Sequence, residues 1–381
     1  MQFRLRRTPA IPLRRATCPP ALAVLAIVGA GCSDAPQVAI LAGPEPRSII
    51  VPQRNAAGGR SAELIDVSIF ALTPSGGVVV FDPFEMSIDS FAATGTHLGT
   101  LASGRFGGAP LSTFNAMHGT PTGMLYVLSR DGIFAIEEET AITKQITCTT
   151  AEEGPLAAIL ATSSGQLFLS ESLESGVWRV LKCDPASGST RTIHEDRGRV
   201  RPDGVEQTPL GRWVPQVVED ADGSILVSDL RDYRISVYSQ AGEALRVIER
   251  ASNPVILTEN DLLLRVGRHK FPITALYNLP EQLRYLPSIV GIVVTRTGRK
   301  LVFTSERNRE AKFRIDVFDR DWKFVGSDFQ YNSLRQTPYR SGDGVLAVAD
   351  IGLLGDGTTG PMSLLEAPKI PQRILLFGTD L

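Results

Sequence analysis

The sequence predicts an all-β protein built from repeated four-stranded antiparallel sheets that close into a ring. Three observations lead to this prediction. A glycine turn followed by an alternating apolar strand occurs six times, its spacing fits a four-stranded unit, and the last copy lacks one strand that the N-terminal part of the chain can supply. The 381 residues are 43% apolar and 21% charged, which excludes disordered, collagen-like and coiled-coil proteins.

The repeated motif is a turn glycine with the strand that follows it. Its six copies begin at Gly77, Gly123, Gly165, Gly223, Gly298 and Gly344, at intervals of 46, 42, 58, 75 and 46 residues. A four-stranded unit of a ring-shaped repeat protein needs about 40 to 50 residues. Another apolar strand precedes the turn, as at 65–72 and 289–295. We therefore expect hairpins whose glycine accepts a positive φ, and these hairpins form the inner strands of each sheet.

One unit also carries a pattern known from other proteins. Residues 222–242 contain a glycine, an apolar strand, Asp229, a polar loop, the run Arg-Ile-Ser-Val-Tyr and a second turn glycine. This order resembles an NHL repeat, and the Arg-Ile element recurs at 313–318 and 372–377. The resemblance implies a six-bladed β-propeller with four-stranded antiparallel blades over residues 47–381, of the kind common among bacterial lipoproteins. The second and third blades lack the Arg-Ile element and are assigned by their period alone.

The final repeat ends four residues after Phe377, so it has three strands and an open hydrogen-bonding edge. An extended apolar segment, 47–53, precedes the first repeat. We predict that the residues around Ile49 and Ile50 pair with those around Leu375 and close the ring. The long interval between the fourth and fifth repeats predicts a short helical insertion at 254–286.

The N-terminal region has the layout of a bacterial signal peptide. Residues 1–20 contain five arginines and no acid, and an apolar run of about eleven residues follows, which is shorter than the roughly 20 needed to cross a bilayer. Small residues directly precede Cys32, in a pattern that resembles a lipoprotein cleavage site. We therefore predict a signal peptide at 1–31, lipidation of Cys32 and a flexible tether at 32–46. Plain secretion, with cleavage near the same point, is the alternative.

Export changes the interpretation of the other cysteines. Cys148 and Cys183 are the only two that remain after residue 32, and an oxidising compartment permits them to pair. Two separate buried thiols are the alternative, and the distance between the two Cα atoms decides between them.

Motifs for chemistry are scarce. The sequence contains no nucleophile elbow, paired zinc-binding histidines, phosphate loop, dinucleotide fingerprint or EF-hand loop, and we predict no cofactor and no metal. Four acids lie at the same place in their repeats, just after the second strand. With His118, which ends an inner strand, they form the candidate channel-mouth set: Asp82, His118, Glu171, Asp229 and Asp350. The alternative is that each carboxylate caps its own loop or pairs with the following arginine.

These observations favour a cell-envelope lipoprotein anchored through Cys32, in the outer membrane and facing the periplasm or the exterior. Its propeller would be a monomeric, non-catalytic scaffold that binds a protein, peptide or glycan partner through its loops. The alternative is a propeller enzyme, a lyase or lactonase, with a metal in the central channel. The net charge is 39 − 41 = −2 and basic residues do not cluster, so we expect no nucleic-acid partner.

Overall fold

The structure is a computed structural model, which describes residues 48–50, 70–82, 86–106, 109–111, 114–129, 132–137, 143–148, 154–173, 177–196, 214–256, 285–308, 313–330, 338–340, 345–350 and 373–378. The predicted signal peptide, Cys32 and the tether lie outside these residues. Within them no helix has the length and apolar character required to cross a membrane.

The described residues form six antiparallel sheets, and their strands are numbered along the chain from β1 (Ser48–Ile50). The first sheet contains β2 (Phe70–Leu72), β3 (Val78–Asp82), β4 (Ser87–Phe91), β5 (His97–Ser103), β6 (Arg105–Phe106) and β7 (Ala109–Pro110). The second contains β8 (Phe114–Gly119), β9 (Met124–Ser129), β10 (Gly132–Glu137) and β11 (Thr143–Ile146), and the third contains β12 (Leu156–Ala161), β13 (Leu167–Ser172), β14 (Trp178–Cys183) and β15 (Thr190–Asp196).

The remaining three sheets have four strands each. The fourth contains β16 (Val217–Glu219), β17 (Ile225–Ser228), β18 (Arg234–Tyr238) and β19 (Ala244–Glu249), and the fifth contains β20 (Ile289–Val294), β21 (Lys300–Arg307), β22 (Phe313–Phe318) and β23 (Phe324–Gln330). The sixth contains β24 (Pro338–Arg340), β25 (Val345–Asp350), β26 (Arg373–Gly378) and β1.

These sheets have a propeller arrangement. The first strands of consecutive sheets contact one another in the order β2, β8, β12, β16, β20 and β24, and β24 contacts β2. The prediction of an all-β propeller with four-stranded antiparallel sheets is therefore confirmed, with the first sheet extended to six strands by a short outer hairpin. The number of blades stays a prediction, because long stretches of the chain lie outside the described residues.

The predicted pairing of the two chain ends is present in the sixth sheet. Strand β1 lies antiparallel to β26, with Ile49 opposite Leu375 and Ile50 opposite Ile374. It supplies the fourth strand that the last repeat lacks. Residues 257–284 of the predicted helical insertion lie outside the described residues. The residues on either side of this stretch, Ile256 and Tyr285, form an isolated antiparallel bridge.

Four of the five inner turns whose conformation is described follow the predicted pattern, with positive φ at Gly123, Gly165, Gly223 and Gly298. In the first sheet the positive φ falls on Gly76 instead of Gly77. A Cβ atom on Gly77 would lie 2.2 Å from the carbonyl oxygen of Phe91. A larger residue at position 77 would therefore clash with the backbone of the neighbouring strand. The hydrophobic clusters lie between neighbouring sheets, as the cluster of Ile88 with Val127 illustrates, and this packing holds the sheets side by side.

Candidate functional site

The central channel contains a cavity of about 380 Å³. Most of its wall comes from the first strands of the second, third and fourth sheets. The lining side chains are mainly apolar or small, among them Met117, Ala157, Ala158, Ile159, Val217 and Val218, and the polar ones include Asn115, His118, Gln216, Glu219 and Asp220. A concave, largely apolar wall with a few polar groups is typical of a ligand-binding site.

Among the members of the predicted channel-mouth set whose side chains are described, His118 lines this cavity. It lies near the end of β8, opposite Tyr126 of β9, and is half-buried. Burial raises the pKa of Tyr126. The next residue is Gly119, where a Cβ atom would lie 2.2 Å from the carbonyl oxygen of Leu72. Glycine at this position therefore allows the first and second sheets to approach each other beside the cavity.

The carboxylate of Glu219 in the channel wall joins two sheets. One oxygen accepts the backbone N–H of Ser163 at 2.8 Å, and the other accepts the Ser163 hydroxyl at 2.7 Å. Ser163 belongs to the inner turn of the third sheet, whereas Glu219 ends the first strand of the fourth. Both oxygens of this carboxylate are thus used for structure, since charge-assisted hydrogen bonds of this kind hold the two sheets together.

The adjacent Asp220 makes the equivalent connection to the fifth sheet. Its Oδ2 atom lies 3.2 Å from Nζ of Lys300 and accepts the indole N–H of Trp322 at 3.2 Å. Its Oδ1 atom accepts the backbone N–H of Ala221 at 2.7 Å. Lys300 donates a further hydrogen bond to the carbonyl oxygen of Arg320 at 2.5 Å. Because Lys300 and Asp220 are only 1% and 3% exposed, these bonds compensate for the cost of burying two charges.

The four predicted acids lie at the ends of second strands. Asp82 ends β3 and is buried, and Asp350 ends β25. Glu171 lies within β13, is 1% exposed and accepts the backbone N–H of Gly154 at 3.3 Å. Asp82, Glu171 and Asp229 are not among the described residues that line the cavity, and the side chain of Asp350 lies outside the description. Gly154 precedes the first strand of the same sheet, so this bond is not a contact within the loop that follows Glu171, which is what the alternative interpretation expects.

Asp229 lies at the joint between the third and fourth sheets. Its Oδ2 atom is 3.7 Å from Nε of Arg234, and its Oδ1 atom is 3.4 Å from Nε2 of His194. His194 belongs to β15, the outermost strand of the third sheet, and its Nδ1 atom is hydrogen-bonded to the hydroxyl of Tyr238 at 2.9 Å. Asp196, two residues after His194, accepts the backbone N–H of Leu230 at 2.6 Å. Asp229 therefore belongs to a polar cluster between two sheets.

Cys148 and Cys183 form a disulfide, with their Cα atoms 5.9 Å apart. Cys148 follows the outer strand of the second sheet, and Cys183 ends the third strand of the next. The bond therefore links neighbouring sheets. Gly188 brings the same two sheets together, because a Cβ atom there would lie 2.9 Å from the carbonyl oxygen of Thr147.

Sequence reasoning missed a pair of hydroxyl groups that recurs in the inner turns. A threonine three residues before the turn glycine contacts the hydroxyl of the residue just before that glycine, at 2.8 to 3.0 Å. The pairs are Thr73 with Ser75, Thr120 with Thr122, Thr162 with Ser164, and Thr295 with Thr297. The spacing Thr-x-Ser/Thr-Gly was the available signal. The fourth sheet has Asp220 and Asp222 at these positions, which frees Asp220 to bind Lys300.

Comparisons with known proteins give low identities throughout. No family model and no curated protein matches the sequence. Among solved structures, the calcium-binding protein regucalcin from Agrobacterium tumefaciens is 12% identical, with a TM-score of 0.48, 87% of this chain covered and 95% of that chain. A gluconolactonase from Xanthomonas campestris is 12% identical, with a TM-score of 0.46 and coverage of 88% and 98%. Virginiamycin B lyase from Staphylococcus aureus is 12% identical, with a TM-score of 0.42 and coverage of 75% and 79%.

Proposed function

We propose that this chain is an exported, lipid-anchored propeller that serves as a non-catalytic scaffold and binds a protein or peptide partner at the mouth of its channel. The observation that carries the proposal is the composition of the channel wall. Most of the residues that line it are apolar or small, and the carboxylates of Glu219 and Asp220 are used to join sheets. Such a wall favours an inserted apolar side chain over the polarisation of a reacting group.

A peptide suits this site better than a glycan. Sugar rings are commonly bound on exposed aromatic faces, and two of the three tryptophans of the chain, Trp178 and Trp322, are 4% and 8% exposed. Trp322 packs against Phe318 with ring centroids 5.5 Å apart, as a core residue does. The cavity of about 380 Å³ has room for one or two apolar side chains, within the usual range of ligand pockets.

The disulfide supports the proposed export. Disulfides form and persist in oxidising compartments such as the periplasm. The bond between Cys148 and Cys183 joins two sheets of the propeller, so it contributes to the folded structure. Export also agrees with the basic and then apolar N-terminal region that ends at Cys32.

Peptide selection tests the binding function. Peptides selected from a displayed random library on the full chain should carry an apolar residue at a fixed position and bind with micromolar or better affinity. Ala158→Phe, which fills the channel, should abolish their binding. Ala186→Phe is the matched control, because Ala186 lies on an exposed turn of the same third sheet. Equal peptide binding by the two variants would refute the channel as the binding site. Binding of glycans on an array, without binding of any selected peptide, would refute the proposal of a peptide ligand.

Metabolic labelling tests the anchor. Palmitate should label the protein in cells, and Cys32→Ala should abolish the label. Cys18→Ala is the matched control, because Cys18 lies within the predicted signal peptide and should be removed before lipidation is complete. Retention of the label in Cys32→Ala would refute the proposed anchor.

A further inference from the structure

Three side chains form a chain of polar contacts across the joint between the third and fourth sheets. Tyr238 of β18 is hydrogen-bonded to Nδ1 of His194 on β15, and Nε2 of the same ring faces Oδ1 of Asp229 at 3.4 Å. His194 and Tyr238 are each 8% exposed, and the Asp229 side chain is 16% exposed. Among the described residues, neither of the two facing atoms of His194 and Asp229 has another hydrogen-bond partner.

The surroundings of this chain of contacts are acidic. On the third sheet, Asp196 and Glu195 lie beside His194, and Glu195 is 3.6 Å from Nε of Arg179. On the fourth sheet, Asp232 and Glu249 face Asp229, and Arg234 is the nearest cation. The charged groups that act on the pair are therefore four acids, Asp196, Glu195, Asp232 and Glu249, and one arginine, Arg234. The excess of negative charge around His194 and Asp229 raises the affinity of this pair for a proton.

We propose that Tyr238, His194 and Asp229 form a proton-sharing relay that takes up one proton as the solution is acidified and thereby reverses the hydrogen bond between His194 and Tyr238. When Asp229 is ionised, Nε2–H of neutral His194 points at the carboxylate, and Nδ1 accepts a hydrogen bond from the Tyr238 hydroxyl. The proton that is taken up binds to Nδ1, which then donates to the Tyr238 oxygen. The proton that Nε2 already carried is now shared between Nε2 and Oδ1, the Tyr238 O–H turns away from the ring, and no other bond changes.

The electrostatics support this relay. Burial, followed by the negative charge of Asp196, raises the pKa of Asp229 to about 7 although Arg234 opposes the shift. Burial also lowers the pKa of His194, against the effect of Asp196. Because the two groups are in contact, their titration belongs to the pair. Tyr238 can follow the change since the side chain of Ser236 also hydrogen-bonds to it.

The relay predicts a specific dependence of stability on pH. In the unfolded chain Asp229 releases its proton near pH 3.9 and His194 near pH 6.5, and the His194 step is common to the original protein and to Asp229→Asn. The difference between the two proteins therefore reports the folded state, in which Asp229 keeps its proton up to about pH 7. Between the two pKa values of Asp229 the folded state binds the extra proton, which stabilises it relative to a variant that lacks the site. The contribution of this proton to the stability of the folded state is complete below the pKa of Asp229 in the unfolded chain. It is lost as pH rises through the pKa of Asp229 in the folded chain.

Thermal and urea unfolding of the full chain from pH 5 to 8.5 test the relay with Asp229→Asn. The ratio of the unfolding equilibrium constant of Asp229→Asn to that of the original protein should increase as pH falls from 7 to 5, by at most about tenfold per pH unit. The variant thus becomes less stable than the original protein in this range. Asp321→Asn, at an exposed turn of the fifth sheet, is the matched control and should follow the original profile. A pH-independent difference between Asp229→Asn and the original protein would overturn the proposal.

A second measurement does not depend on a variant that folds. Nitrogen NMR of the His194 ring in the unaltered protein should show hydrogen on Nε2 above the transition and on Nδ1 below it. Tyr238→Phe keeps the ring but removes the hydroxyl, so it should shift the midpoint of the transition without abolishing it. A His194 ring whose hydrogen positions are constant from pH 5 to 8.5 would also overturn the relay.

Discussion

Lys300 and Asp220 form an ion pair in which both side chains are almost completely buried, with Nζ and Oδ2 3.2 Å apart. The ammonium group also lies 5.1 Å from the centroid of the Trp322 ring. The pair lies where the first strand of the fourth sheet meets the inner turn of the fifth. It therefore fixes one joint of the propeller, with a strength that depends on both charges being present.

Lys300→Met should destabilise the protein by about 3–5 kcal/mol, because it leaves the buried Asp220 carboxylate without its cation. Urea unfolding at neutral pH measures the loss. The double variant with Asp220→Asn should lose less than the sum of the two single variants, which is the sign of direct coupling. Lys323→Met, at an exposed turn of the same sheet, should change stability by less than about 0.5 kcal/mol. Strict additivity would show that the two residues act independently.

Removal of the disulfide with Cys148→Ala and Cys183→Ala should cost about 2–5 kcal/mol. The bond closes a segment with a sequence separation of 35 residues, and reduction releases that constraint in the unfolded chain. Differential scanning calorimetry with and without reductant measures the effect. The reductant should lower the Tm of the original protein and leave the double variant unchanged. Equal responses of the two proteins would mean that the bond adds no stability.

Gly119→Ala should destabilise the protein by about 1–3 kcal/mol, the usual cost of overpacking. The added Cβ atom would lie 2.2 Å from the carbonyl oxygen of Leu72, so the first and second sheets must separate. Gly123→Ala gives a comparison, since its Cβ enters open space and meets only the cost of a positive φ. Hydrogen exchange should show faster exchange of β2 and β8 amides in Gly119→Ala alone. Unchanged exchange in these strands would contradict the close approach.

Asp222, in the inner turn of the fourth sheet, should make the stability of the protein depend on pH in the acid range. Burial acts to raise the pKa of Asp222, but the hydroxyl and the backbone N–H of Ser224 donate to its carboxylate and hold that pKa below its ordinary value. The stabilisation is therefore present above the unfolded pKa and is lost as pH falls through the folded one. Asp222→Asn should lower stability at pH 7, by less than about 1 kcal/mol for an exposed group. The loss of stability in Asp222→Asn should disappear in strong acid, where the carboxylate is protonated. A loss that persists there would contradict the role of the ionised Asp222 carboxylate.

Ile49→Pro should weaken the pairing of β1 with β26, because proline removes a backbone N–H and disturbs a three-residue strand opposite Leu375. Limited proteolysis should then cut the N-terminal region earlier than in the original protein. Ile49→Val keeps the backbone donor and is the matched control. Identical digestion of the proline and valine variants would contradict the role of this pairing.

Sequence patterns predicted the parts of the fold that local rules determine. The alternating strands and the turn glycines follow from period and from φ preferences. The inner turns of the first five sheets, which the structure describes, were therefore placed correctly, except that the positive φ of the first lies at Gly76 instead of Gly77. The pairing of Ile49 with Leu375 was also predictable, because a three-stranded last repeat leaves an edge that a ring must fill.

The joints between sheets were not predictable in the same way. Glu219 and Ser163 are 56 positions apart, and His194 and Tyr238 are 44 apart, so no local pattern connects them. The acids of the channel-mouth set were selected because they repeat, whereas the channel wall is formed by first strands and their turns. Of the members whose side chains the structure describes, it is His118, chosen for its position on a first strand, that lines the cavity. The partners of each carboxylate depend on how neighbouring sheets face each other.

The position of β1 beside β26 has a consequence for folding. The strands from β2 to β23 pair with neighbours that lie close to them along the chain, whereas the sixth sheet is complete only when residues 48–50 meet residues 373–378. This pairing has the largest sequence separation among the described strand pairs, so its loop-closure entropy makes it a late step. Until that step, β1 and β26 each present an unpaired edge to other chains.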